Sequence, residues 1–169
     1  VSMVDPRIEE GKAKIATEAD IVREVARAAT PDALAGRRVV VTSGGTSEPI
    51  DPVRVIANRA SGRTGRAVAA ACYVAGAEVV LVHDGPEMPY ATTEQVETAA
   101  EMLAAVEDHA PDAHALVSAA AVSDYTVEAS DEKVRSRRDL TLDLQPTPKL
   151  VDTVREAHPD LAIVGFKAV

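Results

Sequence analysis

From position 37 onward, apolar residues alternate between two arrangements. Short unbroken runs at 37–42, 78–82, 115–122 and 161–166, built mainly of Val, Leu, Ile and Ala, read as buried strands, because a strand covered on both faces needs no polar side. Between the runs, apolar residues recur every three or four positions, the spacing of one helix face. Residues 64–75 form one such stretch, with Ser61 as the expected N-cap and Gly76 as the stop. A second covers 93–109 through Val96, Ala99, Ala100, Leu103 and Val106, and a short third covers 149–158. Ahead of the first strand, Thr17-Glu18-Ala19-Asp20 opens a helix whose Ile21, Val22, Val25 and Ala29 mark an apolar face, ended by Pro31 and Gly36. Residues 141–144 alternate like an edge or hairpin strand.

Strands alternating with helices predict an α/β fold, a three-layer, mainly parallel, doubly wound (Rossmann-like) sheet. The last apolar run lies directly before Val169, so the sheet is expected to be incomplete at the C-terminus. The length of 169 residues suits one domain. Residues 1–16, of mixed charge and without apolar periodicity, read as a linker, and 17–169 as the domain.

Composition narrows the partners. Aromatic residues are 2% of the chain, namely Tyr73, Tyr90, Tyr125 and Phe166, which argues against stacking on nucleic-acid bases. The formal net charge of −9 repels a phosphate backbone and an anionic lipid surface, so neither nucleic acid nor membrane is an expected partner. No apolar run is long enough to span a bilayer, and no basic-then-apolar signal opens the chain. The single Cys72 lies in an apolar run and reads as a buried thiol, which fits a reducing cytoplasm.

One segment departs from the acidic average. Ser43-Gly44-Gly45-Thr46-Ser47-Glu48-Pro49-Ile50-Asp51-Pro52 follows the first strand, and from Pro52 through Ala77 there is no acid but there are Arg54, Arg59, Arg63 and Arg66. Glycine turns expose backbone N–H groups, a helix start adds more, and guanidinium forks bind phosphate or carboxylate, so the expected ligands are anions. Arginines paired with acids elsewhere would make the same stretch an ordinary surface. The segment between Gly45 and Ser61 is longer than most strand-to-helix connections, which favours a functional loop. Within it, Asn58 can both donate to a developing oxyanion and accept from an amine. Asp124 follows the third core strand, where ligands of open α/β sheets gather, and Lys133-Val134-Arg135-Ser136-Arg137-Arg138 is a second cationic patch.

Taken in order, Gly44-Gly45-Thr46-x-Glu48-Pro49-Ile50-Asp51, Arg54, Asn58, Ser61-Gly62-Arg63-x-Gly65, Ala119-Ala120-Ala121-Val122-Ser123-Asp124-Tyr125, Glu132-Lys133, Pro148 and Val164-Gly165-Phe166 resemble phosphopantothenoylcysteine synthetase. The resemblance runs from about Arg37 to the last residue. It implies a ligase that activates the carboxylate of 4′-phosphopantothenate with a nucleoside triphosphate and Mg²⁺, then joins it to cysteine. It also implies a homodimer and an attached decarboxylase half, with FMN confined to that half and residues 1–16 as the link to it. By motif, Gly44, Gly45, Ser61 and Gly62 would offer backbone donors to phosphates. Ser118, Ala119, Ala120, Asp124, Lys133, Thr147, Pro148, Lys149, Leu150 and Phe166 would hold the nucleotide. Asn58 would contact the activated acyl group, Arg59 would bind substrate beside it, and Arg54 and Lys133 would be catalytic partners, with Lys133 on a flap. Thr147-Pro148-Lys149-Leu150 stands where bacterial relatives often have Asn-Pro-Asp-Ile, so CTP and ATP both stay open.

An alternative is an NAD(P)-binding oxidoreductase, since Gly62-Arg63-Thr64-Gly65 opens a helix and Asp84 follows the next strand. Against it, the dinucleotide fingerprint needs its glycines in one tight turn directly after the strand.

Overall fold

The computed structural model describes residues 3–135 and 139–167. The chain enters through a hairpin, β1 (Arg7–Glu9) and β2 (Lys12–Lys14), separate from the main sheet. Glu10 and Gly11 at its tip both take positive φ, 51° and 72°, the turn whose twist matches paired strands. A segment without apolar periodicity thus acquires structure from its turn residues. Helix α1 (Glu18–Ala29) follows, and Thr17 Oγ1 accepts from the Asp20 amide at 3.2 Å as the expected N-cap.

Next come β3 (Arg38–Ser43), β4 (Ser47–Asp51), β5 (Arg54–Ala57), α2 (Arg63–Val74), β6 (Glu78–His83), β7 (Thr92–Gln95), α3 (Ala99–His109), β8 (Ala115–Ser118), β9 (Tyr125–Val127), β10 (Leu144–Pro146), α4 (Leu150–Ala157) and β11 (Ala162–Gly165). Five strands in the spatial order β11-β8-β3-β6-β7 form one parallel sheet. The chain winds outward from β3, first through β6 and β7, then on the other side through β8 and β11. This is the expected doubly wound α/β architecture.

Period-two alternation divides the core. Val40, Val80, Val82 and Leu116 face Met102 and Val106 of α3 and Leu150 and Val154 of α4. Val39, Val41, Val79, Leu81 and Val117 face Ala69 of α2. Leu81, Leu116 and Met102 are fully buried, each contributing roughly 1.5–3 kcal/mol.

Several elements differ from the sequence expectation. Residues 92–95 form edge strand β7, and α3 begins only at Ala99, where Thr98 and Glu101 make a reciprocal capping box. The β-branched pair Thr92-Thr93 favours the strand, and the box fixes the helix start. The third core strand stops at Ser118, and β10 lies at 144–146, paired with β9. Gly62, in the left-handed region at φ 65°, is the N-cap of α2 in place of Ser61. The loop after Gly45 contains the β4–β5 hairpin. Cys72 is half-buried, and burial pushes its thiol up. No residue of α1 is buried, although the helix carries an apolar stripe. At edge strand β11, Val164 and neighbouring Phe166 are 54% and 56% exposed. Among the described residues no helix is long and apolar enough to cross a membrane.

Candidate active site at the sheet's switch point

β3 and β8 lie side by side, and the chain leaves them in opposite directions, which opens a crevice at their carboxyl ends. The turn after β3 starts with Gly44 at φ 79°, where an added Cβ would collide with the Asp84 carboxylate at the end of β6. Ser43 Oγ donates to the Gly62 carbonyl at 2.8 Å, tying the start of α2 to the end of β3. Because no side chain caps α2, its first N–H groups stay open, and its first turn carries Arg63 and no acid. Partial positive charge and free donors together make an anion seat.

The segment after β8 is joined to this turn by hydrogen bonds across long sequence distances. Thr42 Oγ1, fully buried, accepts from the Ala119 and Ala120 amides at 3.2 Å each. The Ala121 amide donates to the Gly44 carbonyl at 2.8 Å, and the Ser123 amide to Thr46 Oγ1 at 2.8 Å. Thr147 Oγ1 donates to the Ser123 carbonyl at 2.5 Å, the Thr147 amide to the Asp124 carbonyl at 3.0 Å, and the Phe166 amide to the Ser118 carbonyl at 3.0 Å. Lys149 forms an ion pair with Asp124, whose carboxylate raises the lysine's pKa through a side-chain hydrogen bond. Gly44, Gly45, Ser118, Ala119, Ala120, Asp124, Thr147, Lys149 and Phe166 are therefore brought to one crevice. Pro148 and Leu150 flank Lys149, with Leu150 buried as the first residue of α4.

Asn58 follows β5 and bridges the crevice, donating from Nδ2 to the carbonyls of Ala121 and Val122 at 3.2 Å each. Its donor capacity is thereby used, so the expected donation to an oxyanion gives way to the second possibility, an exposed Oδ1 acceptor. Arg59, Arg63 and Arg66 have no acidic partner among the described residues, whereas Arg54 is paired with Asp51 at 2.5 Å. The ordinary-surface explanation thus holds for Arg54 alone.

Asp51 is the center of a cluster the sequence did not signal. Its side chain is wholly buried; Oδ1 accepts from the Val53 and Arg54 amides at 2.8 and 2.9 Å, and Oδ2 from the Val134 amide at 3.1 Å. Arg54 Nη1 also donates to the Val134 carbonyl at 3.1 Å. Burial pushes the Asp51 carboxyl up, but these amide donors and the guanidinium outweigh it and hold the group below the usual carboxylate value. The pair fastens the segment beginning at Lys133 to the β4–β5 hairpin. No hydrogen bond among the described residues joins Lys133 to Asn58 or to the glycine turn, and residues 136–138 of the cationic patch lie outside the described residues. Glu48, also buried, accepts from the Ala99 amide at 2.9 Å and so anchors the hairpin to the start of α3.

His83, at the end of β6, is fully buried beside Ser43. Its Nδ1 accepts from the Gly85 amide at 3.3 Å, and its Nε2 has no partner. Burial pushes its pKa below the ordinary 6.5, Asp84 acts the other way, and Arg66 adds to the lowering. The neutral form is favoured, so its stabilising contribution is complete above about pH 6.5 and is lost as the pH falls toward the lowered folded-state value. Urea unfolding between pH 7 and pH 5 should show stability falling with pH, and His83→Gln should flatten that slope. An unchanged slope would show that His83 does not titrate on unfolding.

A surface concavity of about 670 Å³, lined by Arg27, Arg38, Glu78, Asp112 and His114 among others, lies at the opposite, amino-terminal edge of the sheet. Arg38 there is held by Glu78 at 2.7 Å and Asp112 at 3.5 Å, a surface ion-pair cluster away from the crevice. Among the described residues no group of three or more His, Cys, Asp or Glu side chains could hold a metal ion.

Known proteins share this arrangement. The family described as DNA/pantothenate metabolism flavoprotein C-terminal domain matches residues 34–169. The coenzyme A biosynthesis bifunctional protein CoaBC of Thermococcus kodakarensis is 44% identical over 173 residues, covering 99% of this chain and 43% of that protein. The protein of the same name from Methanocaldococcus jannaschii is 40% identical, covering 99% and 42%. The crystal structure of the C-terminal domain of a CoaBC superposes with a TM-score of 0.71 at 34% identity, over 82% of this chain and 67% of that one. The chain thus spans less than half the length of these curated relatives. The NAD(P) alternative finds no support in these relatives, and the β4–β5 hairpin separates the glycines its fingerprint would need together. With the doubly wound sheet, the glycine turn and the joined crevice all in place, the chain belongs to the DNA/pantothenate metabolism flavoprotein C-terminal domain family.

Proposed function

We propose that this chain is a phosphopantothenate–cysteine ligase, the second part of a two-part coenzyme A biosynthesis protein. The carboxylate oxygen of 4′-phosphopantothenate attacks the α-phosphorus of CTP or ATP, and pyrophosphate leaves. The cysteine amine then attacks the acyl carbon, the acyl–oxygen bond breaks, the nucleoside monophosphate leaves and the amine gives up a proton. Mg²⁺ would enter with the triphosphate, whose charge it offsets.

The observation that carries this proposal is Asn58, held across the crevice between the glycine turn and the segment after β8. Its amide oxygen, left without a donor, would accept from the arriving amine beside the acyl group. The open donors of Gly44, Gly45, Gly62 and the α2 N-terminus, with Ser61 beside them, suit phosphates; Arg59 and Arg63 add charge. Ser118 to Ala120, Asp124, Thr147 to Leu150 and Phe166 form the nucleotide side. Lys133 approaches from its segment, which Arg54 and Asp51 position. A homodimer belongs to the same proposal, supported by Val53 and Val55 on the hairpin and Tyr125 and Leu144 on β9–β10, all exposed. FMN would belong to the preceding decarboxylase part, with residues 1–16 as the link, and the location would be the cytoplasm.

The test omits cysteine. Incubation with 4′-phosphopantothenate, Mg²⁺ and either CTP or ATP should yield an acyl-nucleotide and pyrophosphate with one of them, read by mass spectrometry; neither product with either nucleotide would overturn the proposal. Asn58→Ala should leave pyrophosphate release nearly intact and slow amide formation by about tenfold, the worth of one well-placed hydrogen bond. Equal slowing of both steps would give Asn58 a structural role instead.

A further inference from the structure

We propose that the outer face of α1 is the seat of the flavin-dependent part that shares a polypeptide with this domain, an inference that rests on the two-part reading above. The helix is mounted inside out. Asp20, Arg23, Glu24 and Arg27, spaced as one helix face, point at the protein. The Arg23 guanidinium lies 4.2 Å over the Tyr90 ring and pairs with Asp20. The Arg27 guanidinium lies 4.4 Å over the Tyr73 ring and donates to the Tyr73 carbonyl, and the Tyr73 hydroxyl donates to Glu24 at 2.7 Å. Cation–π stacking and hydrogen bonds therefore fasten the polar face.

The apolar stripe on the opposite side faces water, with Val22 60% and Val25 62% exposed and Ala29 in line with them. An amphipathic helix normally buries this face. In the preceding segment Ile15, 78% exposed, and Ile8 of β1, 69% exposed, are apolar and open to water as well.

Three observations select the occupant. The stripe lies ahead of residue 34, where the family match begins, yet the two-part relatives align over 99% of this chain, so their match includes the segment that carries it. The match is to a C-terminal domain and covers 43% of the Thermococcus relative, so a further part of that relative precedes the matched domain, on the side where α1 stands. The patch is also small: a 12-residue helix is about 18 Å long. Pairing two such stripes falls short of the roughly 1,200 Å² that a free-standing dimer needs, whereas a tethered part at millimolar effective concentration needs less. Arg7, Lys12 and Lys14 are balanced by Glu9, Glu10 and Glu18, so the stripe has no basic excess to hold it to an anionic lipid surface.

Val22→Cys and, separately, Val25→Cys in a Cys72→Ala background would be labelled with a maleimide, once in this chain alone and once in the chain joined to the FMN-loaded decarboxylase part. Labelling should be fast alone and about tenfold or more slower when joined, while Glu156→Cys on α4 reacts equally in both. Adding Val25→Asp to Val22→Cys should restore fast labelling in the joined protein. Equal rates in both forms would overturn the proposal. So would protection that rises with the concentration of the isolated chain, which would mean a second copy as the occupant. The ligase assay separates the two claims: protection without acyl-nucleotide formation leaves the seat and removes the reaction, and the converse result leaves the reaction and removes the seat.

Discussion

Asp51→Asn should release the segment that follows Glu132 from the β4–β5 hairpin and lower acyl-nucleotide formation by about a hundredfold. The carboxylate accepts three amide hydrogens and the Arg54 guanidinium from inside the protein. An asparagine offers one oxygen where two are used, turns the second acceptor into a donor aimed at N–H groups, and leaves Arg54 without its counter-charge. The chain at Val134 then loses its amide's acceptor, and Arg54 loses the partner that aims it at the Val134 carbonyl. A loosened catalytic segment costs about two orders of magnitude when its groups drift by an ångström. Trypsin offers a separate readout, since cleavage after Lys133 and Arg135 should become about tenfold faster or more. Unchanged cleavage with lost activity would mean that Asp51 acts in some other way. Because the Asp51 carboxyl is held below its ordinary value of 3.8, the attachment is complete above that pH and is lost only as the pH falls through the lowered value. In the wild-type protein, resistance to an acid-active protease at this segment should persist below pH 3.8.

Gly65→Ala should destabilise the protein by roughly 1–3 kcal/mol and impair anion binding at the same time. Its Cβ would sit 2.5 Å from Ser43 Cβ, 2.7 Å from Ser43 Oγ and 2.8 Å from the Thr42 carbonyl. Two of these three neighbours are backbone-fixed, so the first turn of α2 must move off the end of β3. That movement pulls Gly62 away from Ser43 Oγ and displaces the N–H groups of the proposed phosphate seat. Thermal unfolding should fall by several degrees, about 2–4 °C per kcal/mol in a domain of this size. The stabilisation given by saturating triphosphate should shrink as well. Gly165→Ala is the control, because nothing lies within 4 Å of its added Cβ; its unfolding should shift little. A Gly65→Ala protein as stable as wild type would show that α2 is not pressed against β3.

How much of this was legible in the sequence depended on whether the determining contact was local. The unbroken Val and Leu runs of β3, β6 and β8 announced a parallel sheet, because strands covered on both faces cannot carry alternating polar residues. The glycines of the turn were legible as a tight turn with exposed backbone donors, the basis of the proposed phosphate seat. Asp51 was not, since in sequence it is one acid in a Pro-Ile-Asp-Pro loop, and its worth comes from Val134, 83 residues away. Glu48 was hidden for the same reason, as its partner is the Ala99 amide. At Ser61 the preference for a hydroxyl N-cap lost to the close approach between Gly62 and β3, which only glycine at φ 65° permits. The stripe on α1 was legible as apolar but not the side it faces, because periodicity tells that a face exists and not where it points.

By itself the sequence determined the core strands and their covering helices, the doubly wound order and the place of a glycine turn after the first core strand, all consequences of side-chain periodicity and glycine spacing within a few residues. Tertiary structure alone decided that Asn58 spends its amide hydrogens on Ala121 and Val122, that a buried carboxylate fastens the Lys133 segment, and that α1 docks by its charged face. Each depends on donors, acceptors and rings that meet only after the sheet has formed, and no local pattern encodes which distant group will stand opposite.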